Sequence, residues 1–403
     1  MTAQHSTFDA LAASKPRPLW MALAPICVMV FMEFLAMGIP LSVLPVHVHG
    51  VLGFGTFVVG VAIGAQSWVT LATRHAAGTR SDRDGPRRAA LIGLLLSTVA
   101  GALYAVSSGI GQSTASLAVL LLGRGLLGMG ESLVITGALA WGISLAGRER
   151  SGVVMAWVGI AMYGAMAIGA PLGTELAGSH GFLAMGIAAA LAPAIGIGAA
   201  VLAQPVAPLG GERLPFYRLA KLIWLPGAGL AASALGFGAI AAFSSLLFGE
   251  HGWAHAALAM TAFGVAFVLA RLMFGTFPDR FGGARVAVVS AAVAALGQLG
   301  LWLATSPAMA VAASALTGFG FSLVFPAFGV EAIRRVPPHN RGVALGAYTA
   351  SFDLAMGVGV PLLGVVVAAL GYRAAFGIGT LAGLGSLIIA LALSRAGSTL
   401  RAR

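Results

Sequence analysis

Twelve apolar runs separated by short polar connections fill nearly the whole chain, and this succession restricts the possible folds more than any single motif. In the first half they cover residues 19–45, 55–75, 89–108, 117–146, 152–177 and 182–203, and in the second 221–247, 255–277, 285–304, 308–333, 342–370 and 373–394. Each is long enough to cross a hydrocarbon layer of about 30 Å as a helix. Lipid offers the backbone no hydrogen bonds, so every N–H and C=O must be satisfied within the segment, which favours helices. Only 9% of the 403 residues are charged and 59% are hydrophobic, against roughly 25% charged in a soluble domain. The expectation is an all-α integral membrane protein with twelve transmembrane helices and no soluble domain. The first run is much longer than the apolar core of a signal peptide and has no convincing cleavage site, so it reads as a retained span behind a polar tail, residues 1–18. Cys27 is the single cysteine. With no partner for a disulfide or a thiolate metal site, it reads as a small buried apolar residue.

The formal net charge of +11 would in isolation suggest a nucleic-acid ligand, but its placement points to a membrane. The tails and the connections at one end of the spans hold Arg80, Arg83, Arg87, Arg88, Arg148, Arg150, Arg280, Arg285, Arg334, Arg335 and Arg341 among others, whereas the connections at the other end carry only Arg373. This asymmetry places both termini and every even-numbered connection in the cytoplasm of a bacterial inner membrane. A nucleic-acid face is excluded on the same grounds.

The chain also repeats itself. Gly128, Gly130, Ser132, Leu133 and Val134 recur as Gly318, Gly320, Ser322, Leu323 and Val324, an offset of 318 − 128 = 190. Gly152 and Pro171 recur as Gly342 and Pro361 at the same offset. Earlier, Arg74, Gly78, Asp82 and Arg83 recur as Arg271, Gly275, Asp279 and Arg280, an offset of 275 − 78 = 197. Two parallel six-helix repeats follow, with a substrate site near the bilayer midplane between halves that rock for alternating access. The expected units are a tail over 1–18, a first half over 19–203, a linker over 204–220, a second half over 221–394 and a tail over 395–403.

The connection between the second and third runs reads Gly78-Thr-Arg-Ser-Asp82-Arg83-Asp-Gly85-Pro-Arg87-Arg88. It resembles the signature G-x-L-a-D-r-x-G-r-k of the major facilitator superfamily, with Arg80 in place of an aliphatic residue and Pro86 in place of a basic one. A shortened copy lies at Gly275–Arg285. The resemblance covers essentially the whole chain. It implies that Asp82, Arg83 and Arg74, with Arg271, Gly275, Asp279 and Arg280 in the second copy, belong to a cytoplasmic charge latch that breaks as the halves move. A purely topological role for these arginines is the alternative. In the fourth run, Leu120, Arg124, Gly128 and Gly130 resemble the pattern l-x-x-x-R-x-x-q-G-x-g of proton-coupled members, and Glu131 stands where that pattern has a small residue. In the fifth, Gly169, Pro171 and Gly173 loosely resemble the antiporter motif g-x-x-x-G-P-x-x-G-G, with Ala170 replacing a glycine. The resemblance extends to the bacterial drug, sugar and metallophore efflux branch.

Glu33, Arg124, Glu131 and Asp353 lie deep within apolar runs, where an ionisable group is costly unless it serves a cavity or a partner. Arg124 and Glu131 are two turns apart on one helix face, about 10 Å along the axis. These four are the candidates for proton coupling and for the substrate cavity, against paired structural charges between helices as the alternative. His47 and His49, His251 and His255, and Glu175 and Glu331 sit at span ends and read as loop or interfacial residues. Trp68, Trp141, Trp157, Phe243 and Tyr348 are cavity candidates without individual roles. There is no Walker motif, no metal-ligand cluster, and no recognisable nucleophile with its base, so neither cofactor nor enzyme chemistry is expected. The reading is a monomeric secondary transporter whose partners are a small organic molecule, protons and the bilayer, with proton antiport leading to export. Proton symport or facilitated uptake is the alternative, and a non-transporting receptor a more distant one.

Overall fold

The computed structural model describes residues 19–147, 150–206, 216–336 and 341–399. Helices account for almost all of them. In chain order α1 is Leu19–Leu41, extended by a short helical turn at Leu44–Val46 and a wide π turn at His47–Val51; α2 is Thr56–Asp84, α3 Pro86–Ser107 and α4 Ser113–Ala146. One helical run, Ser151–Leu202, breaks at Gly181, whose φ of 80° and ψ of 174° no helix accommodates, into α5 (151–180) and α6 (182–202). The second half comprises α7 Phe216–Glu250, α8 Ala257–Phe274 with a short helix at Phe277–Phe281, α9 Gly283–Trp302 and α10 Pro307–Ile333. It closes with α11, which runs from Arg341–Leu354 through a π turn at Ala355–Gly359 into Val360–Leu370, and α12, Arg373–Thr399. Among the described residues eleven stretches are long and apolar enough to cross a membrane, and the one broken at Gly181 is long enough for two crossings. The twelve expected spans are therefore present. The tail over 1–18 and residues 207–215 of the expected linker lie outside the described residues, while α7 begins at Phe216 and α12 continues to Thr399.

Packing between helices of equal polarity to the lipid rests on close contact rather than on the hydrophobic effect, which is why small residues line it. α5 lies against α1 along Gly169 and Gly173: a methyl group at Gly169 would sit 2.8 Å from the Gly38 carbonyl carbon, and one at Gly173 would collide with the Ile39 carbonyl oxygen. The antiporter-like glycines are thus where two backbones touch. α3 meets α6 in the same way through Gly101 and Gly186, which face Ala190 and Ala105.

The internal repeat is visible as duplicated geometry. A side chain at Gly128 on α4 would strike the Gln66 carbonyl on α2, and one at Gly318 on α10 would strike the Phe263 carbonyl on α8, where 263 − 66 = 197. Gly85 closes α2 with φ 91° and Gly282, 197 residues later, ends the short helix after α8 with φ 90°; both values lie in the region that only glycine adopts without strain.

The halves meet along two seams. On the first, Gly60 and Gly64 of α2 face Pro361 and the Met356 and Gly357 carbonyls of α11, and the Thr56 hydroxyl donates to the Gly364 carbonyl at 2.7 Å. On the second, Gly264 of α8 faces Ala167 and the Tyr163 carbonyl of α5. Pro361 supplies no N–H, and a π turn at Ala355–Gly359 lies just before it.

Candidate functional site

Asp353 sits on α11 just before the π turn, 2% exposed, and accepts two hydrogen bonds from Arg74 of α2, from Nε at 3.0 Å and Nη2 at 2.5 Å. This ion pair crosses the first seam, so it ties one half to the other. Arg74 therefore engages a carboxylate of the opposite half instead of one within its own loop.

Glu33 of α1 is 1% exposed and accepts from the Ser97 hydroxyl of α3 at 2.5 Å, while its second oxygen is buried with no partner. Glu131 of α4 accepts from Gln66 Nε2 at 2.7 Å, and the Thr70 hydroxyl lies 3.2 Å from the same oxygen and 3.0 Å from the Gly128 carbonyl. Thr70, which approaches Glu131, and Arg74, which holds Asp353, are one turn apart on α2, and Gly130 beside Glu131 faces the Ser97 hydroxyl that holds Glu33, so the three carboxyls surround one region. Arg124 does not pair with Glu131. Its guanidinium, 1% exposed, donates to the carbonyls of Ala62 and Ile63 on α2 at 2.8 Å each, keeps Nη1 unpartnered and faces the Tyr104 phenol of α3. Sharing a helix face with Glu131 thus leaves it bound to the neighbouring helix, where it fastens α4 to α2.

The repeat gives this region a counterpart of different chemistry. Gln66, Thr70 and Glu131 correspond to Phe263 (263 − 66 = 197), Phe267 (267 − 70 = 197) and Phe321 (321 − 131 = 190). Where the first half holds a hydrogen-bonded carboxyl, the second packs three rings with centroids 6.1 to 6.4 Å apart, joined by Phe237 of α7. Tyr163 of α5 reaches across the second seam and stacks on Phe267 at 3.7 Å. Arg271, the counterpart of Arg74, is 9% exposed, donates Nη2 to the Ser322 carbonyl at 2.5 Å, and lies 5.2 Å from the Phe267 ring centre.

The loop motif is less concentrated than the resemblance implies. Gly78 is buried and Gly85 forms the sharp turn into α3; Arg83 and Arg88 are exposed, and Arg87 donates to the Val201 carbonyl at 2.8 Å, tying α3 to the end of α6. Asp82 is half-buried and engaged. Arg80, the departure from the pattern, pairs with Asp84 at 3.3 Å. In the second copy Gly275 is half-buried and Asp279 and Arg280 are exposed. Of the aromatic cavity candidates, Trp141 is buried and donates to the Gln204 carbonyl, Phe243 is buried, the Tyr348 hydroxyl donates to the Phe325 carbonyl, Trp68 touches Gly357 across the first seam and Trp157 is exposed. A cavity of about 800 Å³ opens at the end away from the basic connections, lined by His47, Thr174, Phe182 and Ser245 among others. None of the three carboxyls lines it, and the His47 ring stacks on Phe182 at its wall, 3.8 Å between centres.

Comparison with known proteins agrees with this architecture. The family model described as Major Facilitator Superfamily matches residues 26–254 and 226–401. An uncharacterized MFS-type transporter of Pseudomonas aeruginosa is 45% identical over 366 residues, 91% of each chain. Another, from Salmonella typhimurium, is 41% identical over 348 residues, 86% of this chain and 89% of the relative. Among solved structures, the nucleoside transporter NupG superposes with a TM-score of 0.73 at 14% identity, covering 92% of this chain and 99% of its own. The human organic anion transporter MFSD10 superposes with a TM-score of 0.69 at 15% identity, covering 93% and 99%. At those identities the structures speak for the fold, and the sequence relatives speak for kinship. Twelve helices in two repeats, the glycine-lined seams and these matches together establish that the chain belongs to the Major Facilitator Superfamily.

Proposed function

We propose that the protein exports a small organic molecule across the bacterial inner membrane in exchange for protons, with both termini and the basic connections in the cytoplasm. The observation that carries this reading is the pair of intramembrane carboxyls, Glu33 and Glu131, whose hydrogen-bond partners are all neutral. A carboxyl removed from water without a cation at its side can carry a proton in place of that cation, and a group that gains and loses a proton inside the membrane is the element a proton-driven carrier needs. Asp353 adds the link to motion, because its partner Arg74 belongs to the other half. Separating the seam leaves Asp353 without its guanidinium, and a proton taken at that moment compensates the loss. Conversely, re-forming the pair releases it. Proton traffic and rocking of the halves are thereby coupled through one carboxyl, while Glu33 and Glu131 load from the other side of the same region.

The test is a proton-flux measurement in proteoliposomes with a pH-sensitive dye enclosed, adding candidate organic molecules singly, alongside Glu33→Gln and Glu131→Gln. A substrate-triggered proton movement opposite to that of the substrate, lost in both variants, supports antiport. Movement in the same direction makes the protein a symporter, and substrate flux with no proton signal eliminates the coupling.

A further inference from the structure

The two seams are built from equivalent positions but are not equally provided with charge. Arg74 of α2 has Asp353 of α11 across the first seam. Its repeat counterpart, Arg271 of α8, faces the equivalent place on α5, and since 353 − 163 = 190, that place is held by Tyr163. A guanidinium stays charged at any accessible pH, so removing it from water calls for an anion. For Arg271, among the described residues, no carboxylate forms an ion pair or hydrogen bond with it. Its surroundings are the Ser322 carbonyl, the Phe267 ring and the phenols of Tyr163 and Tyr348, and the Tyr348 hydroxyl is already committed to the Phe325 carbonyl. Arg271 Nε is buried with no hydrogen-bond partner among the described residues.

We infer that Arg271 receives the anionic group of the transported molecule, and that the rings beside it take an aromatic or other planar apolar body attached to that group. The missing counterion of the second seam is then supplied by cargo. The ring face is already assembled: Tyr163 stacks on Phe267 at 3.7 Å, Phe237 stacks on Phe352 at 6.1 Å, and Tyr163 and Phe352 are the half-buried members of the group. The substrate class is an organic anion with a planar body. This inference rests on the transporter reading for its purpose but not for its test.

Binding is measured by calorimetry on the purified full-length protein in detergent, with no gradient present, using naphthoate, the neutral naphthalenemethanol and the cationic naphthylmethylamine as probes. The wild type is expected to bind naphthoate about tenfold or more tightly than the other two, the range a charge-assisted contact supplies. Arg271→Gln abolishes that preference. Tyr163→Asp abolishes it as well by rebuilding within the protein the pair that Arg74 and Asp353 already make, and this variant stays informative if Arg271→Gln fails to fold. Tyr163→Phe retains the preference. Equal affinity for the three probes, or naphthoate affinity unchanged in Tyr163→Asp, overturns the assignment, as does inorganic phosphate that competes as well as naphthoate. Intact naphthoate binding without movement in proteoliposomes would instead count against transport and leave the Arg271 site standing.

Discussion

With Ser97 as its one hydrogen-bond partner, the Glu33 carboxyl depends on a single hydroxyl for its place between α1 and α3. Ser97→Ala leaves a buried carboxyl bare and is expected to cost about 1–3 kcal/mol, read as a lower unfolding temperature in detergent. Asp353→Asn removes the charge that Arg74 answers and is expected to destabilise the closed seam by about 3 kcal/mol, while the exchanged pair Arg74→Asp with Asp353→Arg recovers most of the loss; thermal unfolding of both variants decides it, and an exchanged pair no more stable than Asp353→Asn would mean the two residues are not coupled. Glu33, Glu131 and Asp353 were legible in the sequence because a charge within an apolar run is costly there and stands out against its neighbours. Their partners were not. Gln66, Thr70 and Ser97 are uncharged residues of a kind that spans tolerate anywhere, and Arg74 meets Asp353 across 279 residues, a separation no spacing rule reaches. Tyr163 becomes conspicuous only when the offset of 190 sets it opposite Asp353.

Among the elements, α2 and α11 share a surface with no room for added side chains. A methyl group at Gly60 would lie 2.7 Å from the Pro361 Cα, and one at Gly64 would lie 2.8 Å from the Met356 carbonyl oxygen. Gly60→Val is therefore expected to wedge α2 from α11 at a cost of about 1–3 kcal/mol, the usual penalty for overpacking. The check is thermal unfolding in detergent, where Gly60→Val should melt below the wild type; an unchanged melting temperature would mean the seam yields without cost. The number and order of the spans were readable because lipid imposes a minimum apolar length, but their limits were less so: α2 runs on to Asp84, past the apolar run that stops at 75. The π turns at His47–Val51 and Ala355–Gly359 were not, since a wide turn and an ordinary one have the same composition. The glycines of α5 showed their spacing but not their target: that Gly169 and Gly173 rest on Gly38 and Ile39 is a matter of which helices are neighbours, and the sequence does not state adjacency.

For the molecule as a whole, an even number of crossings returns the chain to the side on which it started, and the excess of arginine at that end is the ground for proposing that it faces the cytoplasm. A fluorescent protein fused after Arg403 is expected to fluoresce in cells and a phosphatase fused there to be inactive; the reverse result would invert the proposed orientation. Motion of the halves is expected to be obligatory for transport, so a cleavable crosslink joining α2 to α11 should stop substrate flux in proteoliposomes and its cleavage should restore it.

The composition of the first seam bears on how that motion is made. Where α2 touches α11 the contact is largely backbone on backbone, through Gly60, Gly64 and Gly364. Such surfaces have no rotamers to exchange and no knobs to withdraw from holes, so they act as a bearing: one helix can roll or tilt on the other without an activation barrier from interlocked side chains. Resistance is then localised at Thr56 near one end and Arg74 further along, two polar catches on an otherwise smooth track. The rate of conformational turnover is accordingly expected to follow whatever releases those catches, chemistry rather than friction.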